Sequence, residues 1–236
     1  MTTIEAPAIA AEDFRLAAFD LYRDIHKGIR AELFAVTLSA GTLDPSDAFG
    51  WIAFAEHVSA VEAVLSQHAH HEDTYVDPVL HEHFPQLAAG VIAEHRVLEG
   101  SFSTIVDVAH SGEAAPAQDR RRLAHLAYLQ LGSFTSAYLA HQAVEEAVIT
   151  PLLEDAIGVD AMVGIHLSII GSMQPEELGR GLSMMLPAMN VDDRTEMLGG
   201  IRATAPAPAW DGIVSLARSV LAPADFSAVA GRLGLG

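Results

Sequence analysis

The chain of 236 residues contains no cysteine. That excludes disulfides, thiolate metal ligands and a cysteine nucleophile, so any metal must be held by nitrogen and oxygen. Basic side chains are scarce as well: 13 lysines and arginines stand against 31 aspartates and glutamates, a formal charge of −18. Such a balance argues against nucleic acid phosphates or an anionic membrane as partners. The one basic cluster, Arg120–Arg122, is accounted for by solvated arginines near a helix start. Even the most apolar stretch, residues 48–66, holds Glu56, His57 and Glu62, so no membrane span is expected. The opening residues, MTTIEAPAIAAEDF, lack the basic and apolar regions of a secretory signal. The expectation is a soluble cytoplasmic protein.

What the chain does have is apolar residues, half of the total, enough for a sizeable core in one large domain or a domain with an appendage. They recur at three- and four-residue spacing nearly throughout, and no segment alternates with period two for long, which predicts an all-α fold. Helix one is expected from about Ala11 to Ala40. Asp44-Pro45 is expected to start helix two, which runs to about Asp77 and is stopped by Pro78. Helix three follows over about Gln86–His110, and helix four over about Asp119–Thr150, stopped by Pro151. Four long helices with short connections predict an antiparallel up-down-up-down bundle. Beyond it, Pro175, Asp192 and Pro223 mark starts of shorter helices, and Gly158, Gly171 and Gly199-Gly200 mark stops. The expected division is a bundle domain over 12–157 and a helical extension over 158–236, a lid or an interface.

Two segments then stand out as copies of one pattern. HAHHEDTYVDPVL at 68–80 and HQAVEEAVITPLL at 141–153 share a His, a Glu four residues on, and a proline ten residues after the His. Residues at i and i+4 lie on one helix face a turn apart, so each His/Glu pair is placed to grip a metal ion. A further inward histidine precedes each pair: His26 lies 42 residues before His68, and His95 lies 46 before His141. The first half of the bundle thus repeats in the second. His26, His68, His95 and His141 all fall on apolar stripes, as do Glu72 and Glu145. A lone inward histidine is usually a hydrogen-bonded core residue. Four of them, one per long helix, with two carboxylates that cost several kcal/mol to bury unpaired, call for cations.

The other candidates are weaker. Glu99, four residues after His95, is expected at the edge of the stripe as a charge or an outer partner of a ligand. His70 and His71 are expected on the solvated back of the turn that carries His68. His81 and His83 are expected in a loop between Pro78 and Pro85, His57 in the core or a cleft, and His166 in the extension, near the bundle end at most. Tyr22, Tyr75 and Tyr138 are placed as core tyrosines, the alternative for one of them being to tune an oxygen species at a metal.

A histidine in helix one, HxxxE in helix two, a histidine in helix three and HxxxE in helix four together resemble the hemerythrin-like family of cation-binding domains. The matching segments are DIHKGIRAEL, HAHHEDTYVDPVL, AEHRVLEG and HQAVEEAVITPLL. The resemblance implies two iron ions bridged by the two glutamates and by an oxygen-derived bridge, with His26, His68, Glu72, His95, His141 and Glu145 as ligands. The oxygen-carrying hemerythrins of invertebrates have a histidine where this chain has Glu99, and an aspartate five residues after the helix-four histidine, where this chain has Glu146. The arrangement is closer to the more carboxylate-rich bacterial members.

The donor set also suits manganese or zinc. The expected function is a non-haem diiron protein that binds, senses or handles O2, peroxide or nitric oxide. The alternatives are a diiron oxidoreductase, peroxide-removing or an oxidase, at the same site, or a zinc-loaded non-redox protein. Expected partners are the small diatomic ligand or peroxide and, for the extension, a second copy in a homodimer.

Overall fold

The structure, a computed structural model, describes Arg15 and residues 17–235. Among the described residues there is no strand. The first unit of structure contains most of α1 (Arg23–Thr42), then α2 (Ala48–His71), a π-helical turn (Glu72–Val76), α3 (Asp77–His83) and α4 (Pro85–Ala114). It continues with α5 (Ala117–Val144), a second π turn (Glu145–Ile149), α6 (Thr150–Ile157) and most of α7 (Val159–Ser172). The shorter helices are α8 (Pro175–Ala188), α9 (Val191–Thr204), α10 (Ala207–Val220) and α11 (Pro223–Leu233). Inter-residue contacts divide the chain into two compact units: the described residues up to Leu21 with Glu32–Ile169, and Tyr22–Ala31 with Ile170 onward.

Several sequence-based boundaries need correction. The expected residues Ala11–Phe14 of helix one lie outside the described residues, and α1 begins only at Arg23. The backbone N–H groups of Ala18 and Phe19 instead donate to Glu154 Oε2, at 2.6 and 3.3 Å, so this stretch is tied to α6 rather than coiled on itself. At the start of α2 the cap is Asp47, whose side chain accepts from Phe49 N–H, not Asp44. Asp44 turns onto Ser46, accepting from its N–H and its hydroxyl at 2.8 Å each, and those bonds lower the Asp44 pKa. Gly199 and Gly200 do not stop a helix but lie inside α9. Pro175 and Pro223 do open α8 and α11, and Gly158 ends α6 with φ +78°.

The largest correction concerns the two prolines. Neither Pro78 nor Pro151 ends its helix. Each is preceded by a π turn, in which Asp77 N–H reaches back to Glu72 O and Thr150 N–H to Glu145 O, five residues rather than four. A proline lacks an N–H and crowds the carbonyl of an ordinary helical turn; one widened turn accommodates both defects. The helix resumes, and the resumed turns bury Leu80 and Leu153 completely, in one cluster with Val91, Val144, Ile149 and Met162. Burying two leucines contributes about 1.5–3 kcal/mol each, enough to favour carrying on over stopping.

The first unit centres on α4, which packs against α2, α3 and α5. Trp51, Phe54, Val58, Val61 and Leu65 of α2 are buried. Together α2, its π turn and α3 make one helix, Ala48–His83, long and apolar enough by length and composition to cross a membrane. Charge counting alone had argued otherwise, but the buried stripe makes it a core helix of this unit. Trp51 also explains Gly112 of α4: a Cβ there would stand 1.9 Å from the indole ring. A ring that is fully buried has nowhere to move. Gly112→Ala is therefore expected to destabilise by about 1–3 kcal/mol of overpacking, less up to about 1 kcal/mol gained in helix propensity. Denaturant unfolding checks this; a more stable variant would contradict the close approach.

The second unit has its own core of Leu182, Leu186, Leu198, Leu221, Phe226 and Val229. Within it α8 packs on α10 and α9 on α11. The first turns of α1 belong here too: Lys27 pairs with Asp193, Arg23 with Glu196 at 3.1 Å, and a Cβ at Gly28 would meet Met184 at 2.9 Å.

Candidate metal centre

Both π turns begin at a glutamate of the repeated pattern, Glu72 and Glu145. In each, the last α turn begins with the histidine four residues before the glutamate, since α2 ends at His71 and α5 at Val144, so His68 and His141 stay on the buried face while the widened turn turns the glutamate inward. Such single π turns are common at functional sites because they re-aim a side chain without ending the helix. All four residues are buried, and His95 of α4 is buried with them.

The side chains converge. His141 Nε2 lies 2.9 Å from Glu145 Oε1, His95 Nε2 3.8 Å from the same oxygen, and His95 Nε2 3.4 Å from Glu72 Oε2. His68 Nε2 lies 3.4 Å from Glu72 Oε1. The two imidazoles of His95 and His141 meet edge to face, with their Nε2 atoms 3.1 Å apart. One donor atom from each of Glu72, His95, His141 and Glu145 falls within 4.8 Å of every other. Five of the six sequence-derived candidates thus gather within the first unit. The sixth, His26, is fully buried on the first turns of α1 and stacks on Tyr22 at 4.9 Å.

Behind each of the two central imidazoles stands a carboxylate. Asp73 Oδ1 is 3.4 Å from His95 Nδ1, and Glu94 Oε2 is 3.3 Å from His141 Nδ1. A carboxylate on Nδ1 holds the proton on that nitrogen and leaves the Nε2 lone pair pointing inward, the orientation a metal ligand needs. Neither partner was visible in the helical pattern, since Asp73 directly follows one candidate ligand and Glu94 directly precedes another. Glu99, expected in that outer role, is exposed instead. His71 is buried rather than solvated, three residues on from His68 and so on nearly the same face, while His70 is exposed as expected. His81 and His83 lie in helix α3, not in a loop, and are exposed. His166 packs edge-on against Phe19 and joins no cluster of histidines and carboxylates among the described residues.

A family model, the hemerythrin HHE cation binding domain, matches residues 17–153, more than half of the chain. The chain belongs to this family. Searches of curated proteins and of solved structures each found no match. The hemerythrin-like span takes in His26, both π turns and the outer carboxylates Asp73 and Glu94, and it ends inside α6. Membership implies a metal-binding site of histidine and glutamate.

The electrostatics of the hemerythrin-like site fit that use. Burial, and then the charge of Glu145, push the Glu72 carboxyl well above the usual range. Burial pulls His141 down, but Glu145 and Glu94 outweigh it and raise its pKa to about 9. Burial raises Asp77 to about 6, and it raises the Tyr138 hydroxyl, helped by the charge of Glu72. Glu72 Oε1 is buried and accepts no hydrogen bond. With both protons held on Nδ1 by Asp73 and Glu94, the two Nε2 lone pairs face each other at 3.1 Å with two carboxylates around them, and they repel unless positive charge sits among them. Protons or cations satisfy that demand, and nitrogen and oxygen donors of this kind suit iron, manganese and zinc.

Proposed function

We propose that this domain is an antiparallel four-helix bundle holding two iron ions, ligated by His68, Glu72, His95, His141 and Glu145 and, by its place in the family pattern, by His26. The observation that supports this most is the set of Glu72, His95, His141 and Glu145, with each imidazole backed by a carboxylate on its outward nitrogen. The iron pair would supply ligand-binding and redox chemistry toward O2, peroxide or nitric oxide. The chain's own part is to keep both Nε2 lone pairs turned inward, to offer carboxylate charge that neutralises the cations, and to exclude bulk water. Asp73 and Glu94 do the first through the Nδ1 protons. Glu72 and Glu145 do the second. The buried rings of Phe134 and Tyr138, in contact at 5.5 Å, help with the third.

Metal content per chain, measured by mass spectrometry on protein expressed with iron and zinc both available, tests the proposal. About two irons per chain are expected, with a visible spectrum that changes on reduction. Zinc alone, or no metal, would overturn it.

A further inference from the structure

A cavity of about 400 Å³ opens beside the centre. A diatomic gas needs little more than the roughly 30 Å³ that one water takes up in the liquid, so the space is far larger than O2 or nitric oxide requires. It lies within the size range of small-molecule sites. The floor is apolar and aromatic: Leu65, Leu98, Phe102, Phe134 and Tyr138, with His95 at the inner end. Of these, Phe102 and Phe134 meet edge to face at 4.8 Å. The rim is polar and of one sign. Glu62 of α2 and Glu99 of α4 stand on it, with Ser66 and Ser103, and no lysine or arginine lines the cavity.

We infer that this cavity binds a small organic cation, an amine with an aromatic or aliphatic body. The body lies on the Phe102, Phe134 and Tyr138 floor with its end toward His95, and the ammonium lies at the rim with Glu62 and Glu99. Neither glutamate makes an ion pair or a hydrogen bond among the described residues, so both remain available to a ligand. A carboxylate or phosphate at the rim would meet two like charges and no lysine or arginine, in a chain whose formal charge is −18. The relevance of the bound amine to chemistry rests on the reading of His95 as an iron ligand; the binding itself does not.

The experiment is calorimetric titration of the full chain, iron-loaded and chelator-treated, with three probes of one shape: 2-phenylethylamine, 2-phenylethanol and phenylacetate. The amine is expected to bind about fivefold or more tighter than the alcohol, the worth of a partly exposed ion pair, and phenylacetate weakest. In the Glu62→Gln, Glu99→Gln double variant the amine should lose that advantage while the alcohol is unchanged. A Cβ at Gly100, also on the cavity wall, meets nothing within 4 Å. Gly100→Phe is therefore expected to fold normally, keep its metal and bind all three probes at least tenfold more weakly. No binding of the amine, phenylacetate binding as well as the amine, or full binding by Gly100→Phe would overturn the inference. Iron content of the same preparations separates the two readings. Amine binding without iron sinks the diiron proposal alone, and two irons without amine binding sink this one alone.

Discussion

Glu145→Gln is expected to collapse the difference in melting temperature between metal-loaded and chelator-treated protein. Glu145 is the carboxylate that faces both central histidines, 2.9 Å from His141 and 3.8 Å from His95, and it is 1% exposed. Glutamine keeps its shape, so packing changes little. What disappears is one negative charge in a site where water cannot replace it. Changing only the outer partners of metal ligands costs ten- to a hundredfold in affinity, so losing a ligand's charge should cost about a hundredfold or more. A hundredfold weaker site forfeits about 2.7 kcal/mol of ligand-derived stability, which for a chain of this size is roughly 5–10 °C.

The competing account is that His141 and Glu145 are a buried structural ion pair. Breaking such a pair costs about 3–5 kcal/mol with or without metal. Both forms would then melt lower by the same amount, and their difference would stay. The two accounts thus separate on the difference between two curves, not on either curve alone. Glu72→Gln should behave as Glu145→Gln does. His125→Ala, at an exposed histidine, should leave the difference intact.

The repeated His/Glu pattern was legible because two physical demands coincided in it. Ligands on one helix must recur at i and i+4, and those residues must also lie on the stripe that the core buries. His68, Glu72, His141 and Glu145 satisfy both, which is why spacing found them. The proline ten residues on was visible too, but its meaning was not. A proline normally ends a helix, and the sequence carries no mark that the turn before it widens. That widening is a trade decided by tertiary packing, since only the folded chain shows Leu80 and Leu153 reaching the cluster beyond the prolines. Asp73 and Glu94 escaped for a related reason. Each is adjacent in sequence to a proposed ligand, so helical periodicity places it a third of a turn away, outside the stripe. Its partner is a histidine on another helix, a relation that needs the packing of the first unit to be known. The loss of α1's first expected turns is of the same kind, because the amides of Ala18 and Phe19 are claimed by Glu154, more than 130 residues on.

The metal-free form should also lose stability as pH rises where the metal-loaded form does not. His141 is raised from an ordinary 6.5 to about 9 by Glu145 and Glu94 against the opposing effect of burial. A group whose folded pKa is raised contributes stability that is fully present below its unfolded pKa and is lost as pH rises through the folded one. For His141 that window is 6.5 to about 9, and the shift is worth on the order of 3 kcal/mol. Glu72 has the same sign, since burial and the charge of Glu145 make its ionised form costly in the fold. Chelator-treated protein should therefore melt roughly 6–12 °C lower at pH 9 than at pH 6.5. Metal works the other way. Its ligands must give up those same protons, so affinity rises across the window and the loaded protein holds its melting temperature. The difference between the two forms should widen with pH, and His141→Asn should remove most of the slope in the metal-free form. A chelator-treated protein whose melting temperature is flat or rises between pH 6.5 and 9 would show that the cluster does not hold its protons against the metal, and that the buried carboxylates are neutralised in some other way.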